Sequence, residues 1–263
     1  MKKLFGLLFT FSLISFVHAQ TSSDTLKKNS TADDPSAFIT RLEIFNELQY
    51  HDEDFYLNQT VIRTIVKIGN KFTTRLDVPL VHNSLSTPAG YQQFGLGDIS
   101  FRLLGYQLAK AKKSVITASF EVSLNTAESP LLGLGKNVII PVITYSKLIP
   151  KEKMIFALFL QQANSFSGDE ARRTVSFTKV QPILLKFWSQ KVWSIIAPSI
   201  FIDYVKGGTS MNLETRTVFS PVPRMNLWGQ AGAGVFGDFG ARYEWSVQVG
   251  CRYFLLRAMN WKK

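Results

Sequence analysis

Between Val115 and Asn125 apolar and polar residues alternate without a break. Ile116, Ala118, Phe120, Val122 and Leu124 stand against Thr117, Ser119, Glu121, Ser123 and Asn125. A β-strand sends successive side chains to opposite faces, so the segment predicts a strand with one apolar wall and one wet, charged wall. Its length exceeds that of a common globular strand and approaches what crosses a bilayer when tilted. The same rhythm predicts about twelve strands, an even number of the kind usual in transmembrane barrels. They fall near 38–50, 55–68, 72–83, 97–109, 114–125, 137–149, 154–165, 173–188, 192–205, 210–220, 225–236 and 242–256.

The links alternate in length through most of the chain. Gly69-Asn70, Ala109 to Lys113, Pro150 to Lys153, Ser189 to Lys191 and Pro221 to Arg224 are short. Longer or more polar links lie between them, at Asn83 to Leu96, Thr126 to Lys136, Phe166 to Arg172, Val205 to Thr209 and Gly237 to Ala241. Outer-membrane barrels have short periplasmic turns and longer outer loops, so this rhythm puts both termini in the periplasm. Pro79, Pro141, Pro182 and Pro198 fall inside predicted strands, where each forfeits a ladder hydrogen bond that a bulge or rim position must absorb. Thr178 to Phe187 does not alternate cleanly and yields no register.

Lys2-Lys3, an apolar run from Leu4 to Val17, and Val17-His18-Ala19 ahead of Gln20 compose a secretory signal with an A-x-A-like cleavage site. The expected division is a signal peptide at 1–19, a flexible periplasmic leader at 20–37, and an outer-membrane barrel at 38–263. No later apolar run is long enough for a spanning helix, which leaves a soluble protein or a closed barrel.

Without residues 1–19 the chain keeps 28 basic and 19 acidic side chains, a net charge of +9. No helix, Cys/His cluster or phosphate loop accompanies that charge, so nucleic acid is not an expected partner. Scattered along strands and turns, the charges suit a wetted interior and rims that meet lipid headgroups. Cys251 is the only cysteine, so neither an internal disulfide nor a thiolate metal site can form, and its parity assigns it to the lipid face. No metal ligand set and no cofactor motif are expected.

Strand parity turns Arg41, Glu43, Glu47, Arg63, Lys67, Arg75, Asp77, Arg102, Glu121, Glu214, Arg216 and Arg252 toward the interior. An Arg or Lys facing lipid at mid-depth costs about 2–4 kcal/mol, which enforces that direction. Such side chains either line a selective channel or pair off and fill a closed barrel, and both readings stay open here. His82 and Ser84 share a strand face at the outer rim, which admits a lipid-modifying hydrolase if a base-orienting group stands nearby. His51 beside Asp52, Glu53 and Asp54 reads as an acidic outer loop.

Gly95-Leu96-Gly97-Asp98 and Leu132-Gly133-Leu134-Gly135-Lys136 read as turn punctuation at strand entries, since no helix follows to receive a phosphate. These pieces resemble the outer-membrane family known as the "MetA-pathway of phenol degradation" group. Its members show a Gly-x-Gly-Asp entering a strand, as at Gly95 to Asp98, and a Gly-x-Gly loop before a Pro-containing strand, as at Gly133, Gly135 and Pro141. The resemblance covers about 77–146 by motif and implies a barrel, with a channel for small or hydrophobic molecules and no catalytic residues. Tyr253-Phe254 fits a final strand, although Arg257 to Lys263 runs past it.

The expected fold is thus all-β, one transmembrane antiparallel barrel of about twelve strands. The leading functional expectation is a non-enzymatic passive channel or transporter for small solutes. The alternatives are a phospholipase or lipid A deacylase centred near His82 and Ser84, and a structural barrel with a closed lumen. Membrane lipids and the barrel assembly machinery are the expected partners.

Overall fold

The computed structural model describes residues 33–34, 37–51, 55–69, 71–84, 92–129, 131–237 and 243–255. The signal at 1–19, the acidic residues 52–54 and the tail at 257–263 lie outside them.

Strand-forming residues dominate the chain, and the described residues include thirteen strands. They are β1 (Arg41–Tyr50), β2 (Tyr56–Ile68), β3 (Phe72–Ser84), β4 (Gln92–Leu96), β5 (Ser100–Lys110), β6 (Ser114–Ser123), β7 (Lys136–Ile149), β8 (Met154–Gly168), β9 (Ser176–Phe187), β10 (Val192–Asp203), β11 (Thr209–Val222), β12 (Met225–Phe236) and β13 (Trp245–Phe254). All pairings are antiparallel, and β13 closes on β1 from Arg41 opposite Phe254 to Tyr50 opposite Trp245. β4 and β5 both lie against β3, the first along Leu80–Ser84 and the second along Phe72–Asp77. They are two pieces of one stave, so the described strands close into a ring of twelve staves, with β4 laddered on its β3 side alone.

β4 falls in what the sequence read as an outer link. Gln92-Gln93-Phe94-Gly95-Leu96 has no alternation to betray it; the upper half of β3 needs a partner and recruits this short piece.

The four prolines that the sequence placed inside strands have a common physical account. Pro79 sits where β3 changes partner from β5 to β4, and its carbonyl accepts from the Gly97 N–H at 2.9 Å. Pro141 keeps its β6 partner Phe120 while the β7–β8 pairing lapses beside it. In the β9–β10 register Pro182 and Pro198 fall at the same lapse, where Gln181–Ile183 and Ala197–Ser199 make no ladder pairs. A side-chain bond crosses that gap instead, Gln181 Nε2 donating to Ser199 Oγ at 2.8 Å.

Alternation sends Ile44, Ile62, Val66, Leu158, Leu160, Ile196 and Val249 outward, all exposed, as an apolar belt. Outward aromatics cluster near both rims: Tyr50, Tyr56 and Trp245 at the loop end, with Tyr50 and Trp245 stacked at 5.7 Å, and Phe72 on Tyr106 at 4.8 Å at the other. Among the described residues no helix is long and apolar enough to cross a membrane; the strands do the spanning. The core lies inside the barrel and is one-sided. Ile155, Leu185, Phe187, Trp193, Ile195, Ala197, Val218 and Trp228 form one buried cluster on β8 to β12, toward the end that carries the short turns.

Candidate functional site

The inward charges fall into one row because the strand registers align them. Glu43 stands opposite both Arg63 and Arg252, Arg63 opposite Asp77, Arg75 opposite Arg102, and Arg102 opposite Glu121. Contacts follow the register. Glu43 Oε1 accepts from Arg41 at 2.6 Å and Arg252 at 2.7 Å, and Arg63 donates twice to Asp77 at 2.8 Å. Glu121 accepts from Arg75 at 2.6 Å on one oxygen and from Arg102 at 2.6 and 2.8 Å on the other. Bidentate guanidinium–carboxylate pairs are strong and directional, so the row is held in shape rather than merely neutralised.

The row continues above β11. Arg216 donates to Gln230 at 2.8 Å and to Gln248 at 3.2 Å, and Gln248 donates to Glu47 at 3.3 Å. The Trp228 ring lies between Arg252, 5.1 Å from its centroid, and Arg216 at 5.5 Å. Gly250 has no side chain because that ring covers it; a Cβ there would collide with Trp228 and Phe45. Glu214 faces inward one step above Arg216 and accepts from the Tyr243 hydroxyl at 2.9 Å. Burial, with Glu214 beside it, pushes the Tyr243 phenol above its usual range. Lys67 shares the inward parity of Arg63 on β2.

The contacts above put Arg41, Glu43, Glu47, Arg63, Arg75, Asp77, Arg102, Glu121, Glu214, Arg216 and Arg252 on one face of the wall. Parity could not show Asp33. This residue precedes β1, in the stretch read as a free leader, and it lies inside the barrel. Its carboxylate accepts from Arg252 twice at 3.1 Å and from Trp193 Nε1 at 2.9 Å, with Arg216 3.7 Å away. Burial works against its charge, but the Arg252 and Arg216 guanidiniums outweigh that and hold the carboxyl below the usual range. Asp34 accepts from Ser146 of β7 at 3.3 Å. In a ring of twelve staves β7 and β13 stand opposite, so two consecutive aspartates reach across the lumen. The leader expectation fails at these two residues because two buried donors, Arg252 and Trp193, with the Arg216 charge nearby, attract a carboxylate that composition alone marks as solvated. A cavity of about 180 Å³ adjoins Asp33, walled by Gln181, Ile183, Ile195, Ala197, Glu214, Arg216 and Gln230.

The two glycine-containing pieces turn out to be one device. Asp98 collects the backbone N–H groups of Thr126 and Ala127 at 3.2 Å and of Leu134 at 2.6 Å. Asn83, inward on β3, donates to the Leu131 carbonyl at 2.8 Å, and Leu132 is buried. Residues 124–129 and 131–135 thereby fold against the inner wall at the outer mouth. Gly133 permits it, since a Cβ would press on Asp98 and Ala127.

His82 stands opposite Asn58 and Phe94 on the outward face of β3, on the other side of the wall from the ionic row. Cys251 also points outward. Among the described residues no group of three or more His, Cys, Asp and Glu could hold a metal.

An antiparallel barrel closed on itself, apolar outside and ionic inside, has the architecture of an outer-membrane β-barrel protein. Solved structures agree at the level of the fold. The chain is similar to the COG4313 outer membrane channel from Pseudomonas putida F1, with a TM-score of 0.69 and 14% identity, over 86% of this chain and 99% of that one. It is similar to the NanC porin at a TM-score of 0.59 and 9% identity, over 82% of this chain and 100% of that chain. The KdgM porin, solved in complex with disordered oligogalacturonate, superposes at 0.56 with 10% identity, over 82% of this chain and 99% of its own. No family model matches the chain, and no curated protein sequence matches it.

Proposed function

We propose that the protein is a passive channel of the outer membrane for small solutes, without catalysis of its own. The observation that carries this reading is the confinement of charge to the inner face. Five arginines (Arg41, Arg63, Arg75, Arg102 and Arg252) meet three wall carboxylates, Glu43, Asp77 and Glu121, in a fixed row, and Arg216 stands beside them at a cavity. Fixed positive charge in a narrow passage raises the local anion concentration, so the lumen favours anionic solutes. The channel and porin names of the structural neighbours support the reading by analogy only. The motif resemblance to the phenol-degradation group supports it in the same way, through the loop that Asp98 draws inward.

Export by the signal at 1–19, cleavage after Ala19 and insertion by the barrel assembly machinery belong to the same proposal. The test is conductance of the detergent-refolded protein in a planar lipid bilayer. Discrete current steps with a reversal potential on the anion side are expected. A folded, inserted barrel that passes no current would overturn the channel reading in favour of the closed barrel.

A further inference from the structure

Resting on the channel reading, we propose that Arg252, Arg216 and Trp193 form a carboxylate-binding site of the lumen, in which Asp33 is a tethered stand-in for the carboxylate of a small solute with an apolar body. Three observations converge. Two donors, Arg252 of β13 and Trp193 of β10, and the Arg216 guanidinium of β11 come from three different staves and meet at one carboxylate. That carboxylate is not part of the wall: it belongs to the segment ahead of β1, so the barrel alone presents its donors to the lumen. Without Asp33, the contacts of Arg216 described above are the amides of Gln230 and Gln248 and the face of Trp228, none of them an anion.

The cavity supplies the rest of the ligand. β9 and β11 run from the loop end toward the turn end and β10 runs back, so Ile183, Ile195 and Ala197 lie on the loop side of the Trp193 level. The open volume thus begins at Asp33 and extends toward the outer mouth, where a solute arrives. Its size, about 180 Å³, suits a single ring, since a cavity of roughly 150 Å³ takes benzene. Ile183, Ile195 and Ala197 offer the ring an apolar wall, and Gln181 and Gln230 offer amide edges. Glu214, one inward step above Arg216, is about 7 Å farther along β11 and repels a second carboxylate. The class is therefore a monocarboxylate. Asp33 competes from an effective concentration of order mM, so the free solute binds weakly until that residue is displaced.

The probe is sodium benzoate, with benzyl alcohol as its neutral counterpart, titrated into refolded full-length protein in detergent with tryptophan fluorescence as the signal; Trp193 and Trp228 flank the seat. Asp33→Ala should bind benzoate at least tenfold tighter than the unaltered chain and benzyl alcohol no tighter. Asp33→Asn, which keeps the shape, should gain in the same direction. Adding Arg216→Gln to Asp33→Ala should remove the gain. Equal binding of the two probes, no gain from either Asp33 variant, or no loss with Arg216→Gln would each overturn the proposal. Binding needs no current, so a barrel that binds benzoate without conducting refutes the channel alone. A conducting barrel blind to the carboxylate refutes the site alone.

Discussion

The two halves of the lumen are built from opposite materials. From β13 through β1, β2, β3 and β5 to β6 the inward positions carry interlocked arginines and carboxylates. From β8 to β10, toward the turn end, they carry Ile155, Leu185, Phe187, Trp193, Ile195 and Ala197, all buried in one apolar cluster. A barrel of twelve staves has more interior than its side chains must fill, and each half solves that differently. The apolar half supplies cohesion by excluding water. The ionic half supplies geometry, because each guanidinium is held by partners that fix its direction, while its net stability is small once desolvation is counted. Asp33 lies at the seam and touches both, through Arg252 on one side and Trp193 on the other.

If the ionic half is a mutually compensated network, removing one shared carboxylate should do the most damage. Glu43→Ala leaves Arg41, Arg63 and Arg252 facing one another, and a loss of about 3–5 kcal/mol is expected. Urea titration of the heat-modifiable gel band measures it, and a change under about 1 kcal/mol would mean that water already screens the row. On the apolar half Leu185→Ala, at a site 1% exposed, should cost about 2–5 kcal/mol yet leave ion selectivity untouched. A selectivity change there would show that the two halves are not separable.

A smaller effect should come from charge alone. Arg102→Gln with Arg216→Gln removes two lumen cations, and the reversal potential across a KCl gradient should move toward cations. No movement would place the ionic row outside the ion path. The smallest effect is expected from His82→Ala, which alters the outward face only: conductance should be unchanged and stability should stay within about 0.5 kcal/mol of the parent. Fatty-acid release from phospholipid or lipid A that vanishes in this variant would instead revive the hydrolase.

Much of the ionic half was legible beforehand. An alternating strand puts its charges on one face, and lipid forbids the other, so parity alone oriented Arg75, Arg102 and Glu121. The same logic fails on the apolar half. Thr178 to Phe187 lacks alternation because Ile183, Leu185 and Phe187 face an apolar core while Leu184 faces lipid, so both faces of the strand are apolar. Trp193 is inward on a strand whose two faces are both largely apolar, and its periodicity carries no sign of it.

The chain by itself determined the closed antiparallel barrel, the alternation of turns and loops, and the shared parity of the charges on its alternating strands, because a one-residue slip would turn a whole set of them to lipid. Only the tertiary structure decided what those charges meet. Pairing Glu43 with Arg252 spans 209 residues of chain, and seating Asp33 on Arg252 spans 219. Such partners are chosen by barrel closure and by the desolvation of the donors once closed, and neither leaves a trace in local periodicity.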